Sequence, residues 1–137
     1  MNTPLNRRRF ILSASLLALA PLAVNAGEMD YKPGLAKAEL AAGKTVIVAY
    51  VTDWCPTCNA QKRAINTLLS ENPEYKEKIS VLWIDYDVHG KGDLAKELRI
   101  PRRSVIVALK GQDEVGRVVA QTDMGIIKKL FDDALKA

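Results

Sequence analysis

Residues 45–58 read TVIVAYVTDWCPTC, and this stretch decides the fold that the sequence predicts. Its first seven residues form a continuous apolar, β-branched run, which is typical of a strand buried on both faces of a sheet. A helix is predicted to begin within residues 53–58, where Pro56 is tolerated because its missing N–H would have no partner in a first helical turn. Two cysteines therefore lie where a buried strand is followed by a helix.

The spacing of Cys55 and Cys58 predicts a redox pair. Helical geometry places two residues three apart on one face, so their sulfurs come within bonding reach. The free N–H groups and the dipole at a helix N-terminus favour an anion, which lowers the pKa of Cys55 from about 8.5 towards neutrality. Cys55 is therefore the predicted attacking sulfur, and Cys58, one turn deeper, is the thiol that resolves a mixed disulfide.

Two other uses of the same cysteine pair remain open. A non-catalytic disulfide between residues three apart would close a very short loop and would stabilise the fold little. A Cys-x-x-Cys pair can also hold a soft metal ion such as copper. Of the three uses, redox chemistry is the one that the pattern favours.

Outward from this stretch, helices and strands first alternate and then end in a hairpin and a helix. Helical spacing of apolar residues predicts one helix after Pro33 and another that stops at Asn72-Pro73. Strands are predicted at residues 80–85, 105–109 and 114–119, a polar loop at 86–92, a short helix from 93 and a last helix at 123–136. This order predicts an α/β fold with a central mixed β-sheet flanked by helices.

Length and composition fit one small globular domain. The chain has 137 residues, of which 48% are hydrophobic and 26% are charged, the balance of an ordinary folded protein. Most of its net charge of +4 comes from Arg7, Arg8 and Arg9, because residues 1–26 contain no acidic side chain and the rest is nearly balanced. Since the remainder has no basic segment, we expect no binding to nucleic acid.

Residues 1–26 resemble an export signal. Three arginines precede an apolar run over residues 10–20, and Val24-Asn25-Ala26 offers the small residues that a signal peptidase recognises. The run is short for a membrane span, which needs about 20 apolar residues. We expect a cleaved signal peptide over residues 1–26, a domain over 27–137 and a periplasmic location. The paired arginines also resemble a twin-arginine signal, and a retained anchor is the alternative to cleavage.

The mature chain resembles the thioredoxin-like proteins along essentially its whole length. The resemblance is carried by Trp54-Cys-x-x-Cys58, by the strand end at Trp83-Ile84-Asp85, and by the closing hairpin and helix. It implies a thioredoxin fold in which Cys55 is the nucleophile, Cys58 is the resolving cysteine and Trp54 is the aromatic residue beside them. There is no room between Cys58 and residue 80 for the helical insertion of the DsbA family, so the chain is similar to a minimal periplasmic thioredoxin.

The loop before the third predicted buried strand departs from thioredoxins. Where those proteins have a cis-proline, this chain has Ser104, and Pro101 arrives three residues earlier. The alternative is a longer loop in which Pro101 is the cis-proline. In both cases Arg102 or Arg103 should lie near the thiols, where a guanidinium favours the Cys55 thiolate. We expect the environment of the two cysteines to comprise Trp54, Pro56, Thr57, Arg103 and Ser104.

A second departure concerns the acid–base chemistry of the resolving step. Thioredoxins pair a buried aspartate with a lysine on the neighbouring strand, and the aspartate helps to deprotonate the resolving cysteine. The corresponding positions here are Ala49 and Val81, so the pair is absent from both sides. We expect slower reductase chemistry than in a typical thioredoxin, or another base such as Asp53 or a water molecule.

These observations predict an exported thiol–disulfide oxidoreductase, acting as a reductase rather than an oxidase. The resemblance implies cysteine-containing exported proteins as substrates, a membrane-bound redox partner and no organic cofactor, and we expect a monomer. One alternative is an exported metal-binding module, for copper in particular, that uses the same two cysteines. The other is an accessory thioredoxin that docks on one partner enzyme and has little general activity.

Overall fold

A five-stranded mixed sheet forms the centre of the fold in the computed structural model, which describes residues 27–137. The predicted signal peptide over residues 1–26 lies outside the described residues. The strands are β1 (Glu28–Asp30), β2 (Thr45–Val51), β3 (Ile79–Asp85), β4 (Val105–Lys110) and β5 (Asp113–Val119). The helices are α1 (Leu35–Ala41), α2 (Pro56–Glu71), α3 (Pro73–Lys78), α4 (Tyr86–His89), α5 (Asp93–Glu97) and α6 (Met124–Lys136).

The sheet order places β2 at the centre. The strands lie in the order β1-β3-β2-β4-β5, with β2 parallel to β3 and antiparallel to β4. All seven residues of β2 are buried, as the uninterrupted apolar run of Thr45–Val51 predicts. The prediction of an α/β fold with a mixed sheet is confirmed.

Successive side chains of β2 point to opposite faces of the sheet and serve two cores. Ile47 and Ala49 belong to the core under α2 and α6, which also contains both cysteines. Val48 and Tyr50 belong to the core on the other face, where α1 and α5 pack. The alternation follows from the period of two along a strand, and it places Ala49 on the same side of the sheet as the thiols.

Two short helices lie where the sequence predicts none. Residues 86–92 are predicted as a polar loop, but α4 forms there because the Asp85 carboxylate caps it by accepting the Asp87 N–H at 2.9 Å. Pro73 ends α2 as predicted and also occupies the first turn of the next helix, α3. Of the helices within residues 27–137, none has the length and apolar character needed to cross a membrane.

A buried carboxylate ties α1 to the central sheet. Glu39 Oε2 accepts hydrogen bonds from Lys44 Nζ at 2.9 Å and from the fully buried Ser80 Oγ at 2.7 Å. Burial alone would raise the pKa of Glu39, but these two donors outweigh it and the pKa lies below its ordinary value. The carboxylate is therefore ionised at neutral pH and stabilises the packing of α1 on β3.

Replacing Ser80 with alanine should lower the free energy of unfolding at pH 7 by about 1.5–3 kcal/mol, because a buried carboxylate loses a donor. Because the pKa of Glu39 is depressed by folding, this contribution is present above its unfolded pKa and disappears as the pH falls through the folded one. Urea unfolding at pH 7 and in acid measures both effects. Lys129→Ala, which removes an exposed pair with Asp133, is the matched control and should change stability little. An equal loss at both pH values would contradict the assignment.

Candidate active site

The two cysteines lie where β2 is followed by α2, at the N-terminus of that helix. Cys55 is the N-cap of α2, in extended backbone, and its Sγ accepts the N–H of Cys58 at 3.3 Å. Pro56, exposed, and Thr57, half-buried, fill the first turn between them. Both cysteines are free thiols; Cys55 retains 2% exposure and Cys58 none, so solvent reaches the pair at Cys55.

Hydrogen bonds set the acidity of Cys55. Burial disfavours the thiolate and by itself would raise the pKa of this thiol. Hydrogen bonds from the Cys58 thiol, the Ser104 hydroxyl and the Cys58 N–H, together with the nearby Arg103 side chain, oppose the effect of burial and lower the pKa of Cys55 to about 6. Cys55 is therefore mainly a thiolate at pH 7, which is the form that attacks a disulfide.

Ser104 lies directly against both sulfurs. Its Oγ is 3.0 Å from Cys58 Sγ and 3.4 Å from Cys55 Sγ, and the residue is fully buried. Pro101 is exposed, and every peptide bond within residues 27–137 is trans. The structure thus has a buried hydroxyl, on a trans peptide, at the position where the resemblance implied a cis-proline.

The backbone of Ser104 is held on three sides. Its φ of 63° is in the left-handed region, which a residue with a Cβ adopts at a cost of about 1–2 kcal/mol. Its N–H donates to the Tyr50 carbonyl at 2.8 Å, and its carbonyl accepts from the Ala120 N–H at 2.8 Å and from Gln61 Nε2 at 3.1 Å. These bonds link Ser104 to the end of β2, the end of β5 and α2, and they fix its hydroxyl between the sulfurs.

Gln61 is a site residue that the sequence analysis missed. It is fully buried on α2, and its Nε2 donates to the carbonyls of Ser104 at 3.1 Å and Gln121 at 2.9 Å. The signal was present in the sequence: positions 58, 61, 65 and 68 form one inward stripe of α2, and Gln61 is its one amide. A buried amide on an apolar stripe indicates backbone groups that need donors.

Arg103 and Trp54 form the rim of the site. The Arg103 guanidinium carbon is 4.3 Å from the centre of the Trp54 ring, a cation–π contact. Trp54 is 61% exposed, and its Nε1–H donates to Asp87 Oδ2 at 2.9 Å. Of the two arginines, Arg103 is the one whose side chain helps to lower the pKa of Cys55. Arg102 is exposed, and its Nε–H donates to the Arg103 carbonyl.

Within residues 27–137, no carboxylate replaces the aspartate that thioredoxins bury near their resolving cysteine. Ala49 and Val81 are fully buried in the same core as Cys58. Asp53, the alternative base that the sequence suggested, has a fully exposed side chain and pairs with Lys62 at 3.6 Å. The polar side chain in contact with Cys58 Sγ is instead the hydroxyl of Ser104.

Solved structures with the same architecture include several thioredoxins. The chain superposes on a protein named Trxlp from Edwardsiella tarda EIB202 with a TM-score of 0.67 and 24% identity, over 77% of this chain and 98% of that one. It superposes on thioredoxin from Trypanosoma brucei brucei with a TM-score of 0.66 and 14% identity, over 87% of this chain and 100% of that one. It superposes on Schistosoma mansoni thioredoxin with a TM-score of 0.62 and 17% identity, over 77% of this chain and 94% of that one. These likenesses show the thioredoxin fold, as the sequence predicted.

Comparisons by sequence find nothing further: no protein-family model matches the chain, and no curated protein matches it significantly. The thioredoxin fold and the two neighbouring cysteines together support thiol–disulfide redox chemistry at this site.

Alkylation of Cys55 should follow a pH profile with a midpoint near 6. The thiolate reacts and the thiol does not, so the rate should rise as the pH passes through the Cys55 pKa and level off above pH 7. Reaction of the reduced protein with iodoacetamide from pH 4 to 9, with the modified cysteine identified by peptide mass, measures it. A midpoint near 8.5, that of an ordinary cysteine, would contradict the hydrogen-bonded thiolate.

Proposed function

We propose that this thioredoxin-fold protein is a thiol–disulfide oxidoreductase that exchanges disulfides with the cysteines of exported proteins. The observation that carries the proposal is the buried Cys55–Cys58 pair in contact with Ser104, in which the pKa of Cys55 is lowered to about 6. A two-step exchange needs a nucleophilic thiolate that solvent can reach and a second thiol behind it.

The exchange proceeds in two displacements. The Cys55 thiolate attacks one sulfur of the substrate disulfide, forms a mixed disulfide and releases the other substrate sulfur as a thiolate. Cys58 then loses its proton, and its sulfur attacks Cys55 Sγ and displaces the second substrate thiolate. The substrate gains two electrons, and the protein is left with a Cys55–Cys58 disulfide that a reducing partner must return to the dithiol.

The acidity of Cys55 favours the reductase direction. A strongly depressed thiolate pKa stabilises the reduced form and makes the disulfide oxidising, as in DsbA, where it is about 3.5; in thioredoxin it is about 7. The value of about 6 in this chain is closer to that of thioredoxin. Arg103 is one of the groups that lower the pKa of Cys55. It therefore makes the Cys55–Cys58 disulfide more oxidising, but the pKa stays well above that of DsbA.

The sequence of residues 1–26 supports the proposal that the protein is exported to the periplasm. In a periplasmic setting the electrons would come from a membrane-bound redox partner. The alternative of a copper module would use the same two sulfurs. Within residues 27–137, no group of three or more His, Cys, Asp or Glu side chains is arranged to hold a metal ion.

Insulin reduction tests the proposed activity. With dithiothreitol as electron source, the protein should accelerate insulin precipitation, and Cys55→Ser should abolish the acceleration because no mixed disulfide can form. Ser70→Ala, on the exposed side of α2, is a control that should retain activity. The reduction potential against glutathione should lie nearer about −270 mV than −120 mV. A potential near the second value would contradict the reductase direction, and inactivity on insulin would favour a dedicated accessory role.

Export predicts a defined mature terminus. Protein recovered from the periplasm of a Gram-negative host should begin at Gly27, as measured by intact mass. Replacing both Arg7 and Arg8 with lysine should block export if the twin-arginine route is used, whereas the general secretory route tolerates this change. Recovery of the full-length chain in the cytoplasm would contradict the proposal.

A further inference from the structure

We propose that the Ser104 hydroxyl is a catalytic hydrogen-bond donor that serves the two sulfurs in turn. It stabilises the Cys55 thiolate before attack and the Cys58 thiolate during resolution. The inference rests on the proposed disulfide exchange and assigns to one hydroxyl the stabilisation of both thiolates, at a site where Ala49 and Val81 stand in place of the buried aspartate and lysine of thioredoxins.

Geometry makes the hydroxyl common to both sulfurs. Ser104 Oγ is 3.0 Å from Cys58 Sγ and 3.4 Å from Cys55 Sγ, both within hydrogen-bond range for sulfur. A serine hydroxyl carries one donor proton and two acceptor lone pairs. In the reduced protein Cys55 is the thiolate, so the hydroxyl donates its proton to Cys55 Sγ.

Formation of the mixed disulfide changes which sulfur needs the hydrogen bond of Ser104. Cys55 Sγ is then bonded to the substrate sulfur and carries no charge, so it no longer competes for the donor. Cys58 must lose its proton in a fully buried position, where an anion without a hydrogen bond is strongly disfavoured. Rotation about the Cβ–Oγ bond of Ser104 directs its proton to Cys58 Sγ. Ser104 keeps that proton throughout, and the proton of Cys58 passes to the released substrate thiolate or to water.

Among the residues that the structure describes, no other side-chain donor lies against Cys58 Sγ. Ala49 and Val81 are apolar, and the Asp53 side chain is fully exposed. The Arg103 side chain contributes to the acidity of Cys55, and the hydrogen bonds of Cys58 Sγ within residues 27–137 include no arginine. Arg103 thus serves the first displacement, while Ser104 is placed to serve both.

Gln61 is the positioning residue for this hydroxyl. It holds the Ser104 carbonyl at 3.1 Å, beside the bond from Ala120 N–H, and so maintains a backbone conformation with a φ of 63°. Loss of this amide would let Ser104 relax away from the sulfurs without removing its hydroxyl.

Reaction of the reduced protein with the aromatic disulfide DTNB separates the two displacements. Attack by Cys55 releases one thionitrobenzoate anion, and resolution by Cys58 releases a second, so stopped-flow absorbance should show two phases. Ser104→Gly removes the hydroxyl and suits a positive φ, which keeps the loop conformation accessible. We expect it to slow both phases, the second by about tenfold or more, as the loss of a hydrogen bond to a charged group implies.

Two further variants control for indirect effects. Arg103→Ala should slow the first phase and leave the second near the wild-type rate. Gln61→Met, close in size but without the donor, should slow the second phase less than Ser104→Gly does. Circular dichroism and urea unfolding establish that each variant is folded before its rates are compared.

An equilibrium measurement tests the same contact without turnover. In a Cys55→Ala background, the pKa of the Cys58 thiol is followed by thiolate absorbance near 240 nm. Adding Ser104→Gly should raise that pKa, and an unchanged value would overturn the inference.

The outcomes distinguish the inference from the function on which it rests. Two phases in the wild type with an unchanged second phase in Ser104→Gly would overturn the role of Ser104 and leave the exchange function intact. Release of a single thionitrobenzoate by the wild type would show that Cys58 does not resolve, and this result would overturn both.

Discussion

A buried thiolate must receive hydrogen bonds from the protein because water cannot supply them, and this requirement governs the structure around Cys55. The sulfur is almost inaccessible, yet its pKa lies well below that of an ordinary cysteine. Burial opposes that shift, so the donors must overcome it. They come from two places: the first turn of α2, and the loop before β4, which carries both Ser104 and the arginine that stacks on Trp54. The tertiary structure is what brings them to one point.

The strained conformation of Ser104 follows from this requirement. Left-handed backbone at a residue with a side chain persists only where its surroundings hold it, and here the carbonyl of Tyr50, the N–H of Ala120 and the amide of Gln61 do so. Each contact joins the loop to a different element. The hydroxyl position is therefore a property of the assembled sheet and helix rather than of the loop alone.

The absence of a buried aspartate changes how charge is handled inside the domain. With Ala49 and Val81 in the core, the interior near Cys58 contains no ionised side chain from residues 27–137. Among the described residues, the buried carboxylate is that of Glu39, on the opposite side of the sheet, where Lys44 and Ser80 satisfy it. The redox site relies on a neutral hydroxyl instead, which can donate to either sulfur without a charge of its own.

The sequence by itself determined the fold, the central strand and the identity of the sulfur pair, because each leaves a local signal. A continuous β-branched run predicts a buried strand, and a Cys-x-x-Cys after it predicts thiols at a helix start. It did not determine the partners of Gln61, which are about 40 and 60 residues away along the chain. The choice of Arg103 over Arg102 and the contact of Ser104 with both sulfurs were decided only by the tertiary structure. Hydrogen bonds between distant segments have no periodicity in the sequence, and they exist only once the sheet has brought those segments together.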